Sequence, residues 1–194
     1  MRRLRQTLLL LLAVSLTACL GHYRTLEIDE QTGLYPTSTQ VDPGGTLVFD
    51  TSVDPQSFSY VLLSTRTNLK PYQLSFTVRS ALAQSGITKV YTPEEIKLLA
   101  QDRGFTFPND TISADDLRNF SAEVGSVLVV DMIYRAVGDA RMMSLLVVND
   151  GRTGKVLLRV LHQKTVWSDS DVEALYPVLN QLRKWIKESK GGAV

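Results

Sequence analysis

The chain has 194 residues, of which 44% are hydrophobic and 21% charged, with one cysteine and two histidines. This composition is typical of a folded domain with a sizeable core. One cysteine excludes an internal disulfide and a cysteine-rich zinc site, and two histidines argue against a histidine-based metal site. Without residues 1–18, which contain three arginines and no acidic residue, the chain has 18 basic and 20 acidic residues. This balance argues against binding nucleic acid through a global positive field.

The amino terminus has the pattern of an export signal. Three arginines among the first five residues precede an apolar run from Leu8 to Leu16. A helix needs about 20 apolar residues to span a bilayer, and this run has only about nine. The pattern therefore predicts a secretory signal peptide and not a transmembrane anchor.

The leader ends in Leu16-Thr17-Ala18-Cys19, which resembles the bacterial lipobox. The resemblance implies cleavage between Ala18 and Cys19 and acylation of Cys19 by fatty acids such as palmitate. Several acyl chains hold a protein on a membrane, so the membrane is one expected partner and covalent lipid the only expected cofactor. The alternative is an ordinary signal peptide with a chance cysteine. Leu20 follows where an aspartate would favour the inner membrane, so we expect the periplasmic face of the outer membrane.

Three segments are predicted: a signal peptide over residues 1–18, an acylated tether over 19–45, and a single α/β (α+β) domain over 46–190. Hydrophobic spacing and capping signals predict four helices. They run from Pro71 to Gly86, from the capping residue Thr92 to Gly104, from the capping residue Ser113 to Gly125, and from Ser170 onward, with a kink or restart at Pro177 in the first turn of the last helix. We expect a mixed sheet of about five strands, ending in a three-strand meander. The strand candidates are Tyr23–Ile28 within the tether, then Thr46–Asp50, Tyr60–Thr65, Ile87–Tyr91, Val127–Tyr134, Met142–Val148 and Lys155–Trp167.

The element order over residues 45–188 resembles a known envelope fold. A strand carrying Asp131 precedes a hairpin whose turn, Asp150–Leu157, has an Asp-x-x-Thr-Gly-x-hydrophobic pattern. This arrangement is similar to that of the TolB amino-terminal domain, the curli-secretion lipoprotein CsgG and the penicillin-binding-protein activator lipoproteins. The resemblance implies a non-catalytic envelope lipoprotein that binds another protein or assembles with itself.

Catalytic interpretations find little support in the residues. His162 alternates with apolar residues on one strand, and no nucleophile-elbow serine is present, so we expect a satisfied, partly buried histidine. Asp131 lies in an apolar strand and needs a partner, such as Arg159. The acidic pairs Glu94/Glu95 and Asp115/Asp116 fall in first helical turns, where the helix dipole favours negative charge.

The last three strands are apolar on both faces. Leu128, Val130 and Met132 alternate with Val127 and Val129, and the hairpin places Leu157 and Leu161 opposite Val156, Leu158 and Val160. A sheet with helices on one side normally has a polar second face. Either helices or the folded-back tether cover this second face, or it is an apolar patch that binds a partner, a second copy or a lipid.

The function predicted from these observations is binding or scaffolding of an envelope protein complex, without catalysis. Two loops are the candidate contacts: Arg66, Asn68 and Lys70 in one, and Arg152 and Lys155 in the other. The alternative is a carrier of lipid or another hydrophobic ligand, or an accessory lipoprotein of envelope transport. It predicts a cavity lined by Leu157, Leu161 and Trp167. A hydrolase is the third interpretation, and the missing nucleophile and metal motifs argue against it.

Overall fold

Six strands and four helices make up the part of the chain that the computed structural model describes, which is residues 27–68, 71–138, 141–165 and 172–190. In chain order they are β1 (Thr46–Phe49), β2 (Tyr60–Thr67), α1 (Pro71–Gln84), β3 (Val90–Tyr91), α2 (Pro93–Asp102), α3 (Ala114–Glu123), β4 (Val127–Ala136), β5 (Arg141–Asp150), β6 (Val156–Thr165) and α4 (Tyr176–Lys190). The predicted fold class, the meander and the four helices are confirmed. The sheet has six strands instead of about five, because the short strands β1 and β3 form its two edges.

The strand order is β1-β6-β5-β4-β2-β3. β2 runs parallel to both β3 and β4, which requires crossover connections, and the helices α1, α2 and α3 supply them. β4, β5 and β6 are antiparallel neighbours joined by hairpins. No helix therefore follows β4 or β5, and this asymmetry decides which parts of the sheet are covered.

The helix starts follow from local capping. Thr92 and Glu95 form a reciprocal capping box at α2, and Ser113 and Asp116 form another at α3, as their spacing predicts. The continuous start predicted for the last helix at Ser170 is wrong, whereas the restart predicted at Pro177 agrees with the structure. Ser170 lies outside the described residues, and α4 begins only at Tyr176, after a 3₁₀ turn over Glu173–Leu175. Pro177 fits this start, because a proline within a helix would lose a backbone hydrogen bond and clash with the preceding turn, whereas in the first turn it loses no bond.

The larger core lies on one face of the sheet, beneath α1 and α4, and we call this the covered face. Tyr35 also lies in this core although it belongs to the segment predicted as tether. It is 2% exposed, its backbone N–H donates to Asn180 Oδ1 at 2.7 Å, and its ring stacks on Tyr176. The sheet contributes Leu63, Leu128, Val130, Met132, Leu146, Val148, Leu158 and Val160, and the helices contribute Val78, Leu82, Leu179, Leu182 and Trp185.

A smaller core lies on the opposite face, beneath α2 and α3. Phe120 is its centre, with the rings of Tyr60, Phe105 and Phe107 at 5.8, 5.4 and 5.5 Å. Ile96, Ala100 and Leu117 of the helices pack here against Leu62, Val127 and Val129 of the sheet. These three sheet residues belong to the first halves of β2 and β4, so α2 and α3 cover only that corner of the second face.

The alternation predicted for β6 fails at one residue. The pairing of β5 with β6 shifts between Val148 and Asn149, which is a β-bulge. As a result Leu157 and Leu158 are both fully buried in the larger core. The prediction that Leu157 shares a face with Leu161 is therefore wrong. In the described part of the chain, no helix has the length and apolar character needed to cross a membrane.

Candidate functional site

The half of the second face that α2 and α3 leave uncovered is the candidate functional site. Its centre consists of five partly buried apolar side chains, namely Ile133, Met143, Leu145, Val147 and Leu161, and we call this set the open face. Ile133, Leu145 and Leu161 are direct cross-strand neighbours in one row, and Met143 and Val147 flank Leu145 along β5. Among the described residues, no helix lies over this set.

Four exposed arginines form the rim of the open face. Arg66 pairs in register with Ile133, Arg135 with Met143, and Arg159 with Val147, while Arg141 begins β5. Among the described residues, none of the four has a carboxylate within 4.0 Å. Exposed guanidinium groups without ion pairs are free to bind an anionic group of another molecule.

Among the described residues, Asp131 is the one acidic residue between these arginines, next to Val147 on the same face. Burial raises the pKa of its carboxyl, opposed by a hydrogen bond with the Ser64 hydroxyl and by the Arg66 charge. The pairing predicted with Arg159 is wrong, because no ion pair joins the two side chains among the described residues and the arginine charge that acts on Asp131 is that of Arg66. The parallel pairing of β2 with β4 places Ser64 directly beside Asp131 instead.

A shallow groove of about 510 Å³ adjoins the open face where β2 and β4 end. Arg66 and Arg135 lie on it together with Asn68, whose Oδ1 accepts a hydrogen bond from the Ala136 backbone N–H at 3.2 Å. This bond ties the loop after β2 to the end of β4. The groove thus has two guanidinium groups in one concave surface, which suits a carboxylate or phosphate.

The predicted contact residues do not form one surface. Arg66 and Asn68 line the groove, whereas Arg152 and Lys155 lie in the turn after β5, at the opposite end of the sheet. Lys155 has a structural partner, since its Nζ lies 2.5 Å from Asp50 Oδ2 and this contact lowers the pKa of the Asp50 carboxyl. Lys70 lies outside the described residues.

Ala18 and Cys19, with the rest of the lipobox, also lie outside the described residues. So do most of the strand predicted over Tyr23–Ile28 and the residue Trp167. Arg135 and Arg141 are site residues that sequence reasoning missed. The available signal was their spacing, because each arginine lies two residues from an apolar residue of the open face along the same strand.

His162 lies on the covered face, in register with Ser144, while Asp131 lies on the opposite face. The structure therefore does not bring the two together as a catalytic pair. The imidazole is 3% exposed, and neither of its nitrogens has a hydrogen-bond partner among the described residues, so the prediction of a satisfied histidine is wrong. Burial lowers the pKa of His162, the Asp42 charge raises it and the Lys164 charge lowers it.

The remaining site predictions concern ligands. Over the described ranges, no three His, Cys, Asp or Glu side chains lie close enough together to hold a metal ion. The hydrophobic cavity predicted around Leu157 and Leu161 is not formed by these residues, because Leu157 is buried in the larger core and Leu161 belongs to the open face.

Comparison with known proteins gives distant similarities of fold. No family model and no curated protein matches the chain. The LpoB C-terminal domain from Salmonella enterica is 19% identical, with a TM-score of 0.39 over 59% of this chain and 88% of that one. Lipoprotein GNA1162 from Neisseria meningitidis is 13% identical, with a TM-score of 0.39 over 70% of this chain and 99% of that one.

The PelC dodecamer from Paraburkholderia phytofirmans is 14% identical, with a TM-score of 0.36 over 76% of this chain and 93% of that one. One of these three proteins is itself named a lipoprotein. TM-scores below 0.5 and identities below 20% place the chain in no family.

Proposed function

We propose that this chain is a lipid-anchored, periplasm-facing envelope protein that binds another envelope protein through its open face, without catalysing a reaction. The observation that carries the proposal is the open face itself. The same strands are fully covered on one side, yet on the other they carry five partly buried apolar side chains with no described helix above them. An apolar sheet surface of this kind is typical of a protein-interaction site.

The leader supports the location. We propose that residues 1–18 are removed and that acylated Cys19 holds the domain at the outer membrane. Only seven residues separate Cys19 from Glu27, where the described part begins. A fully extended chain of that length spans at most about 25 Å, so the domain works close to the membrane surface.

The interior argues for binding rather than hydrolysis. A nucleophilic mechanism needs a base that is oriented by a third group and reaches the substrate. His162 is buried in the larger core, and Asp131 is on the other side of the sheet. Neither residue faces a common cleft in the described part of the chain.

The test is site-specific photocrosslinking in intact cells, using the full acylated chain with a photoreactive residue at position 145. The matched control places the same residue at position 98, since Leu98 is 63% exposed and belongs to α2, which packs over the other corner of the second face. We expect a protein adduct at 145 and none at 98, with the adduct identified as an envelope protein by mass spectrometry.

Specificity is then tested by a second substitution in the crosslinking chain. Leu161→Glu adds a charge to the open face and should reduce the adduct at least fivefold, whereas Lys89→Glu, on the exposed loop before β3, should leave it unchanged. Adducts with phospholipid alone would contradict protein binding and favour the hydrophobic-ligand alternative. Equal adducts at 145 and 98 would also contradict it.

A further inference from the structure

The open face differs in charge from the rest of the molecule. From residue 19 on, the chain has 18 basic and 20 acidic residues, yet among the described residues this face combines four exposed arginines with one acidic residue, Asp131. The arginines lie on four strands or strand ends around the apolar centre, and Arg159 and Arg66 lie on opposite sides of it. A local positive ring in a net acidic chain favours a ligand with negative charges around an apolar centre.

The size of the open face limits what can bind there. From β6 to β2 it spans three strand spacings, about 14 Å, and from Arg141 to Val147 along β5 it spans about 20 Å. An α-helix with its side chains is about 10–12 Å across, and about 13 residues cover 20 Å. One helix therefore fits between the arginines, and two do not.

The covered face shows how such a helix packs. There α4 lies over β6 and β5 and buries Leu179, Leu182 and Ile186. On the open face the same two strands have no such layer, because hairpins, unlike crossover connections, add no helix. The uncovered face of an antiparallel sheet is normally polar, so the apolar side chains here indicate that a further layer packs on them.

We propose that the open face binds a single helix of a partner protein, whose apolar stripe packs on Leu145 and its neighbours while carboxylates along both borders meet the four arginines. This inference rests on the proposed function and adds the chemistry of the partner. Arginine is suited to the role because its planar guanidinium forms paired hydrogen bonds with a carboxylate. A helix bordered by basic residues would place its positive charges next to four guanidinium groups that have no carboxylate partner.

Two other occupants fit less well. A second copy of the chain, packed face to face about a two-fold axis, would place the arginine rims against each other. A membrane surface is typically engaged by protruding tryptophan, tyrosine or phenylalanine together with lysine. None of these residue types occurs among the five apolar residues of the open face and its four arginines.

The test uses two synthetic 18-residue amphipathic helices with the same leucine stripe, one bordered by glutamate and the other by lysine. The full acylated chain is held in nanodiscs of phosphatidylcholine, and binding is measured by fluorescence anisotropy. We expect the glutamate helix to bind at least tenfold more tightly than the lysine helix. We also expect this preference to shrink between 50 and 500 mM NaCl, since the arginines are exposed.

Matched variants locate the effect. The double substitution Arg135→Gln and Arg159→Gln should weaken binding of the glutamate helix at least tenfold. The control substitution Lys89→Gln with Arg103→Gln removes the same charge from exposed positions elsewhere and should change it less than twofold. Equal affinity for the two helices would overturn the inference, and so would equal losses in the two double variants.

Further outcomes separate this inference from the proposed function. If the crosslink from position 145 persists unchanged in Arg135→Gln/Arg159→Gln, the result supports a protein-binding site on the open face but contradicts an acidic helix as its partner. If the chain without these two substitutions gives no protein crosslink from position 145, both the proposed function and this inference are contradicted. Displacement of the glutamate helix by phosphatidylglycerol vesicles would overturn the inference in favour of a membrane surface. Displacement by excess unlabelled copies of the chain would overturn it in favour of self-association.

Discussion

At the scale of single residues, Asp50 links three parts of the molecule. Its backbone carbonyl accepts a hydrogen bond from the Trp185 indole N–H at 2.7 Å, its backbone N–H donates to the Leu157 carbonyl at 2.8 Å, and its carboxylate pairs with Lys155. Asp50, which follows β1, is thus bonded to α4 and to Lys155 and Leu157, the two neighbours of the first residue of β6. Trp185 itself is fully buried, so this link lies inside the larger core.

We expect Trp185→Phe to destabilise the protein by about 2–4 kcal/mol. The substitution leaves the Asp50 carbonyl without its donor and opens a small cavity, and both effects lower the free energy of unfolding. Urea denaturation followed by circular dichroism measures the change. The control is Leu98→Ala at an exposed position of α2, where a change within about 0.5 kcal/mol is expected. An equal loss in the two variants would contradict the role of the buried indole.

His162 predicts a dependence of stability on pH. Its pKa in the folded protein lies below the ordinary value of 6.5, with burial as the first cause. As the pH falls through 6.5, the unfolded chain therefore takes up a proton before the folded one does. The stability contributed by the neutral imidazole is present above pH 6.5 and is lost as the pH falls toward the lower folded pKa.

We expect His162→Leu to remove this part of the pH dependence. Below pH 6.5 the wild-type free energy of unfolding should fall by at most about 1.4 kcal/mol per pH unit relative to the variant. Above pH 7.5 the variant should be at least as stable, because it replaces two unpartnered nitrogens by an apolar group of similar size. Denaturation curves from pH 5 to 8 measure both. Parallel pH profiles for the two proteins would rule out the titration of His162 as the cause.

At the scale of elements, the turn between β5 and β6 depends on two glycines for different reasons. Gly154 has a φ of +72° with open space around it, whereas Gly151 lies so close to β4 that an added Cβ would be 2.8 Å from the Val127 carbonyl oxygen. The Gly151 N–H also donates to that oxygen at 2.8 Å. The turn therefore contacts the start of β4 as well as joining two strands.

We expect Gly151→Ala to cost about 1–3 kcal/mol, because either the turn or β4 must move to admit the methyl group. Gly154→Ala should cost only about 1 kcal/mol, the conformational cost of an alanine at positive φ without a clash. Thermal unfolding of both variants against wild type separates the two effects. A larger loss for Gly154→Ala would show that backbone conformation, not the approach to β4, limits this turn.

Much of this element-level structure could be predicted locally. The capping boxes at Thr92 and Ser113 involve residues three apart, and the alternation of Leu128, Val130 and Met132 needs only one strand. The bulge that buries Leu157 depends on the pairing of two strands, which no local pattern contains. The open face likewise could not be told from a covered one, because that difference depends on where α2 and α3 pack.

At the scale of the whole molecule, the two faces of the sheet are unequally covered, although each has two helices. The covered face has α1 and α4 and also receives Tyr35, while the second face has α2 and α3 over one corner. The segment leading toward the predicted lipid anchor thus lies against the covered face, since Ile28 and Tyr35 both pack there. The proposed anchoring through this segment would leave the opposite, open face available to a partner.

We expect Cys19→Ala to move the protein from the membrane fraction to the soluble periplasmic fraction and to abolish incorporation of radiolabelled palmitate. Each buried CH₂ group of an acyl chain contributes about 0.8 kcal/mol to membrane binding, so two or more chains hold a protein stably and none does not. Cell fractionation with immunoblotting measures the distribution, and Ser15→Ala, outside the lipobox, is the control. Palmitate on the Cys19→Ala chain would refute acylation at this site.

The pairing of β1 with β6 has a consequence for the order in which the chain folds. β1 comes first along the chain, but its partner strand ends at Thr165, and Tyr35 bonds to Asn180, 145 residues later. Contacts this distant in sequence slow folding, because the intervening loop must close before they form. If the chain emerges from a secretion channel with its amino terminus first, β1 and Tyr35 emerge long before their partners. These contacts can form only after α4 has emerged. A factor that keeps the emerging chain from aggregating would therefore act longest on β1 and the segment before it.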